Sequence, residues 1–304
     1  MSGRRLEKMV LGSRGSELAR TQTAMVERAL RQAWPQLEIE IKIISTRGDV
    51  RNQEPIDPRA GRKGLFTGEI ERALVERRID LAVHSAKDLP SEMTAGLQLG
   101  AVLARAPVED VLVTKTTEAR AIATGSVRRR HQLRRKFQDV EVVDLRGNVP
   151  TRLRKLVENE WRGVVLARAG LERLGYDINR GSFQFEGVAL HAEKLAAPDF
   201  LPAGGQGIIA LQIREGDNAT LSFVHDISDP ETFLCLQAER EFLRLLQGDC
   251  GSPVGVLATL SGSTMTVQAQ VFNPPQIEPR TAQVEGDAAK PLGLARELWE
   301  AING

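Results

Sequence analysis

The chain has 304 residues, 41% hydrophobic and 27% charged, which fits a soluble globular protein of two or three domains that needs no disulfide or metal to build its cores. No run approaches the ~20 apolar residues that cross a bilayer, and residues 1–10 are charged, so neither a membrane span nor a secretory signal is predicted. Two cysteines, Cys235 and Cys250, form no CxxC pair and the four histidines are scattered, so a reduced, cytoplasmic chain without a bound metal is expected.

Met9-Val10-Leu11 reads as a strand that ends at Gly12-Ser13-Arg14-Gly15-Ser16; Leu18, Met25, Val26, Ala29, Leu30 and Ala33 then recur at helical spacing. Ile39, Ile41 and Ile43 alternate with Glu40 and Lys42, as in a strand, and a glycine-punctuated loop follows over 46–64. Phe66, Ile70, Ala73 and Leu74 predict a helix, and 79–84 a strand. Strands alternating with helices imply α/β units and a mostly parallel sheet.

A second α/β block spans about 110–202, with strands at 111–113, 140–143 and 164–167 and helices at 128–137, 151–159 and 169–174. The run Leu201-Pro202-Ala203-Gly204-Gly205-Gln206-Gly207 marks a crossing, after which 208–213 reads as a strand rejoining the first sheet. The tail differs: helix 231–247, strands 254–260 and 265–272, helix 288–302, a small α+β unit. The expected architecture is two α/β lobes around a cleft with a third domain appended. The boundaries are 1–104 with 207–225, then 108–202, then 229–304.

The net charge of +1 hides an uneven distribution. Between Arg120 and Lys155 eleven basic residues face three acidic ones, and 32 of the chain's 41 basic residues are Arg. The Arg fork matches carboxylates and phosphates bidentately. Thr124-Gly125-Ser126-Val127-Arg128-Arg129-Arg130 puts small polar residues before a helix whose first turn carries three cations, against the macrodipole. Accepting that cost points to an anion, with a solvated helix face as the plain alternative. Leu145-Arg146-Gly147-Asn148-Val149-Pro150-Thr151-Arg152 is a second such junction, and the Gly12–Ser16 turn, with Arg14 and Ser16, repeats the logic in the first lobe. Val83-His84-Ser85-Ala86-Lys87-Asp88-Leu89-Pro90 ends an apolar strand in polar groups, the end at which α/β sheets bind ligands. Asp88 beside Lys87 fits an acid–base group, a charge stabiliser or a surface ion pair. Cys235 sits on the apolar face of a helix, whereas Cys250 lies in a glycine loop where a reactive thiol is plausible.

Together these motifs resemble the porphobilinogen deaminase (hydroxymethylbilane synthase) family, in order over nearly the whole chain: Ser13-Arg14-Gly15-Ser16, Thr46-Arg47-Gly48-Asp49, Gly64-Leu65-Phe66, His84 to Pro90, Ser126-Val127-Arg128-Arg129, Leu145 to Val149, Ala169 to Gly175, Gln206-Gly207, and Cys250 before Pro253-Val254-Gly255. The resemblance implies an α/β fold of two periplasmic-binding-protein-like lobes with a small C-terminal α+β domain. It implies a cytoplasmic, monomeric transferase of tetrapyrrole and haem biosynthesis that condenses four porphobilinogen molecules, with loss of ammonia, into hydroxymethylbilane, passed on to uroporphyrinogen-III synthase. It implies a dipyrromethane cofactor in thioether linkage to Cys250, and Asp88 as the catalytic residue. Arg14, Ser16, Lys63, Ser85, Lys87, Thr124, Ser126, Arg128, Arg129, Arg146, Arg152, Arg173 and Gly207 match positions that bind cofactor and substrate, Lys63 on a mobile loop. No nucleic acid, membrane or metal is implied.

Three positions depart from the family pattern: Asp249 precedes Cys250 where Gly is usual, Gly125 stands where Ser is usual, and the 50–63 loop contains Asp57-Pro58-Arg59. A carboxylate beside a thiol raises its pKa. Two other readings accompany the transferase. A two-lobed anion-binding protein needs no reactive cysteine. A nucleic-acid binder using 120–155 lacks a stacking platform, since that window holds one aromatic, Phe137.

Overall fold

The computed structural model describes residues 7–45, 67–115, 119–137, 139–248 and 252–304. The chain divides into two compact units, residues 1–105 with 208–234 and residues 106–207 with 235–304.

Unit 1 is built on a five-stranded sheet. Its strands are β1 (Lys8–Ser13), β2 (Glu38–Ile43), β3 (Leu81–Ser85), β4 (Leu97–Val102) and β11 (Ile209–Arg214), in the order β2-β1-β3-β11-β4. Helices α1 (Glu17–Ala33) and α2 (Gly68–Val75) supply the crossovers. Side chains alternate across the strands. Met9, Leu11, Leu81 and Val83 join Val26 and Leu30 of α1 in one core. Ala82, from the other side of β3, joins Ile70, Ala73 and Leu74 of α2 in a second. Burying Val26 and Leu30 stabilises the α1 packing by about 1.5–3 kcal/mol each. The parallel pairs expected from the βαβ pattern are present between β1 and its neighbours β2 and β3. The strand predicted to rejoin this sheet is β11, and it runs antiparallel to both β3 and β4. Helix α6 (Asn218–His225) follows, capped by Asp217, which accepts from the Thr220 amide.

Unit 2 repeats the arrangement. Its strands are β5 (Asp110–Thr114), β6 (Ala121–Ala123), β7 (Glu141–Val143), β8 (Gly163–Ala167), β9 (Ser182–Phe185) and β10 (Val188–Leu195), ordered β7-β6-β8-β5-β10-β9. β6 is parallel to β7 and β8, whereas β5 is inserted antiparallel between β8 and β10. A strand that enters from the far end of a sheet makes it mixed rather than mostly parallel. Helices α3 (Val127–Lys136), α4 (Val149–Glu158) and α5 (Arg168–Arg173) connect the strands.

Helix α7 (Pro230–Leu245) leads to the antiparallel sheet β12 (Val254–Ser261), β13 (Thr264–Val271) and β14 (Arg280–Asp287), backed by α8 (Pro291–Asn303). Leu294, Leu298 and Ile302 of α8 are buried. Glu239 of α7, fully buried, ties this sheet to the 203–207 segment: its carboxylate accepts from Gly205 N at 2.6 Å and from Ala258 N at 2.8 Å. No described helix is long and apolar enough to cross a membrane.

Candidate active site

In unit 1 the polar residues gather at the ends of β1 and β3. β1 gives way to α1 at Ser16, whose hydroxyl caps the helix by accepting from Ala19 N at 3.4 Å. Arg14 lies between that cap and Ser13, a buried serine whose Oγ accepts from Thr23 Oγ1 at 2.7 Å. β3 ends at Ser85, which exchanges hydrogen bonds with the Gln22 amide at 2.9 and 3.1 Å. A 3-10 turn over Ala86–Asp88 follows, closed by Leu89 N on Ala86 O at 3.2 Å, and it leaves Lys87 and Asp88 half-buried.

His84 faces the other way, into a buried chain. The Gln212 amide donates to Glu71 Oε1 at 3.0 Å, so its carbonyl oxygen meets His84 Nε2, also at 3.0 Å. Thr94 Oγ1 donates to Glu71 Oε2 at 2.9 Å. This order fixes the imidazole proton on Nε2. Burial, with the Arg14 charge adding to it, pushes His84 down to about 4 against the opposing Gln212 bond, so the ring is neutral at physiological pH.

In unit 2 the predicted anion cup is a helix start. Ser126 caps α3, accepting from Arg129 N at 3.4 Å, and the buried Thr124 accepts from Ser126 N at 3.2 Å. Gly125 has a steric reason: a Cβ there would lie 2.5 Å from Leu145 O, so the serine common in the family does not fit this backbone. The three arginines of the first turn part company. Arg130 stays half-exposed near Asp144, at 3.9 Å. Arg128 and Arg129 turn inward, with side chains 4% and 6% exposed, onto the fully buried Asp110 at distances of 2.8 and 2.6 Å. Sequence reasoning missed Asp110; its signal is the second of two acids, Glu109-Asp110, at the head of the apolar run Val111-Leu112-Val113. Burial pushes its carboxyl upward, but the Arg128 and Arg129 charges and bonds outweigh that and hold it well below the usual carboxylate range.

Two cations on one anion leave the cluster with a positive charge to spare. Arg128 Nη1 donates to Gln132 Oε1 at 2.8 Å and Leu201 O at 2.6 Å, and Arg129 Nη1 to Val165 O at 2.9 Å. The Nε atoms of both are buried with no hydrogen-bond acceptor among the described residues. Arg173, at the end of α5, donates to Gly207 O at 2.7 Å. It has no carboxylate partner among the described residues, and burial pulls it down to about 10, still a cation at neutral pH. Gly207 itself has φ +87°, a conformation glycine adopts without strain.

The second junction is less enclosed. Arg146 pairs with Asp144 at 3.0 Å, Arg152 donates to Gly147 O at 2.7 Å, and Asn148 caps α4 through Thr151 N at 2.9 Å. The structure therefore brings Thr124, Ser126, Arg128 and Arg129 into one network, joins Arg173 to Gly207, and sets Arg146 and Arg152 about the next helix start. Lys63 and Cys250, with Asp249, lie outside the described residues. Cys235 is buried, as its helical position predicted.

Residues 9–222 match the model of the porphobilinogen deaminase dipyrromethane cofactor-binding domain, and residues 233–303 match the model of the porphobilinogen deaminase C-terminal domain. The chain belongs to the porphobilinogen deaminase family. A porphobilinogen deaminase of Syntrophobacter fumaroxidans is 37% identical over 295 residues, covering 95% of this chain and 92% of the relative. One from a Roseiflexus species is 40% identical over 304 residues, covering 97% and 96%. Among solved structures, the periplasmic VFT2 domain of Bordetella pertussis BvgS is 18% identical with a TM-score of 0.45, covering 73% of this chain and 87% of that one. Membership makes the chain a transferase of tetrapyrrole biosynthesis with a dipyrromethane cofactor-binding domain.

Proposed function

We propose that this chain is a hydroxymethylbilane synthase: it joins four porphobilinogen molecules head to tail, releases one ammonia at each addition, and frees hydroxymethylbilane by addition of water. The observation that carries the reading is the uncompensated positive charge inside unit 2. Arg128, Arg129 and Arg173 are mostly or fully buried, and Asp110 is the one carboxylate that meets any of them among the described residues. Buried charges require partners. Porphobilinogen and the rings made from it each carry an acetate and a propionate, the kind of partner these arginines lack among the described residues.

The same test applies to the cofactor. Guanidinium Nε–H groups of Arg128, Arg129 and Arg173, buried without acceptors among the described residues, fit a ligand rich in carboxylates. Arg128, Arg129, Arg173, Arg146 and Arg152 would pair with them, and Thr124 and Ser126 would give neutral bonds. Gly207 would allow a ring to approach the backbone. Ser16, Ser85, Lys87 and Arg14 would do the same in unit 1, with Lys63 as a further cation. Cys250 would carry the cofactor in thioether linkage. When bound, the dipyrromethane supplies the pyrrole ring on which incoming units are built.

Asp88 is the reacting carboxylate in this reading. The turn over 86–88 fixes its backbone at the end of β3. As an acid it protonates the departing amine; as a carboxylate it faces the positive charge that spreads to the pyrrole nitrogen as ammonia leaves. His84, neutral, leaves Asp88 without a competing imidazolium four residues away. The protein works in the cytoplasm as a monomer and passes its product to uroporphyrinogen-III synthase.

Ammonia release from porphobilinogen, measured with Asp88→Asn beside the parent, tests this reading. Turnover is expected to fall by about 10²–10⁴-fold with the fold intact by circular dichroism. Near-parental turnover removes Asp88 from the chemistry, and a parent that releases no ammonia removes the reaction.

A further inference from the structure

We propose that Asp110 is a positioning residue of the cofactor site, holding the Arg128 and Arg129 guanidiniums as one rigid pair toward the dipyrromethane carboxylates. The inference rests on the reading of those arginines as cofactor ligands.

Its two oxygens do different work. Oδ1 accepts from Arg129 Nη2 at 2.6 Å and from Gln206 Nε2 at 3.0 Å. Oδ2 lies 2.8 Å from Arg128 Nη1, yet no hydrogen is aimed at it. Nη1 directs both of its hydrogens elsewhere, to Gln132 Oε1 and Leu201 O. Asp110 therefore holds both guanidiniums at contact distance, Arg129 through a well-directed charged hydrogen bond and Arg128 chiefly through charge. Gln206 Nε2 also donates to Val108 O at 2.7 Å, which anchors the carboxylate from the 203–207 segment as well as from β5.

Asp110 is not itself a ligand. It exposes no surface, and its negative charge would repel a carboxylate. What it does is set the distance and direction of two like charges that would otherwise repel each other on adjacent residues of α3. Side chains that touch a ligand keep their geometry through such outer partners, and losing the partner costs the ligand set its aim.

The test uses Asp110→Asn, which keeps the shape and removes the charge, with Asp110→Glu as the conservative control. The full chain is produced in cells that make porphobilinogen. Intact mass gives the fraction bearing a two-ring adduct, circular dichroism the folded fraction, and steady-state kinetics kcat and KM. The adduct fraction of folded Asp110→Asn is expected to fall at least tenfold. Asp110→Glu is expected to recover part of it, and KM for porphobilinogen to rise in the molecules that remain loaded. Folded Asp110→Asn with a full adduct and parental KM, and only a lower unfolding midpoint, overturns the role and leaves Asp110 a structural ion pair. Should Asp110→Asn fail to fold, Gln206→Met loosens the anchor with the charges retained; a several-fold rise in KM supports the role and an unchanged KM overturns it. A parent chain with no adduct overturns instead the cofactor reading beneath the proposal.

Discussion

Unit 1 and the lobe of unit 2 repeat one sheet and bury opposite charge. In both, the three strands of a parallel βαβαβ run lie to one side of an inserted antiparallel strand, β11 in one and β5 in the other, with β4 beyond it in unit 1 and β10 and β9 beyond it in unit 2. Behind the unit 1 sheet lie a neutral imidazole, an amide and Glu71, whose described partners, Gln212 and Thr94, are neutral donors. Behind the unit 2 sheet lie two guanidiniums and one carboxylate. Strand order positions a polar cluster, while the helix packed over it decides the sign. α2 contributes Glu71, and α3 contributes Arg128 and Arg129. Fold alone therefore gives no account of the ligand; the charge held inside each lobe does.

The sharpest break in the comparison is Arg128→Leu. It removes one arm of a buried ion pair and strands the acceptor Gln132 Oε1, while Leu201 O keeps its bond from Gln132 Nε2. We expect a loss of about 3–5 kcal/mol in urea unfolding, together with protein that carries no pyrrole adduct. Arg173→Met is the counterpart: one bond to Gly207 O worth about 1 kcal/mol is lost, but burial of an unneutralised cation is relieved, so stability stays near the parent while KM rises. Equal destabilisation by the two variants would contradict the charge count.

Acid separates the lobes next. His84 binds its proton at about 4 when folded and at 6.5 as a free side chain, so the unfolded chain holds the extra proton between those values. Stability from this group is complete above pH 6.5 and falls as pH drops toward 4, by about 3 kcal/mol in all. Asp110 has the opposite charge type but also weakens the fold in acid: its folded value lies below the ordinary 3.8, so its contribution is lost only as pH falls beneath that. His84→Gln should flatten the stability curve between pH 6.5 and 4 and leave the lower limb. An unchanged slope in that window would mean that His84 is not held neutral. The smallest effect expected is that of Ser126→Ala, which removes the α3 cap at about 1 kcal/mol, read by thermal unfolding.

The sequence shows the two lobes wherever periodicity is strong. α1 buries Val26 and Leu30 from its apolar stripe, and β11 lies where the glycine-rich crossing pointed. The sequence pattern predicts none of β4, β6, β9, β10, β14 and α6. β4 is interrupted by Gly100, and β14 is a polar edge strand with little buried face. Their places are set by pairing with distant strands, which a local pattern does not encode. The arginines of α3 were legible as a cost against the helix dipole. Their counter-ion was not, because Asp110 lies eighteen residues before Arg128 and reads locally as the polar edge of an apolar strand. His84 likewise reads as part of the polar strand end, although its side chain belongs to the buried face opposite Ser85.

The intact mass of freshly purified protein, with a peptide map across Cys250, tests the central claim most directly. The account predicts an excess equal to two linked porphobilinogen-derived units, confined to the peptide that contains Cys250. An unmodified mass that persists after incubation with porphobilinogen or hydroxymethylbilane would contradict it, and would leave the buried arginines to a binding protein without catalysis.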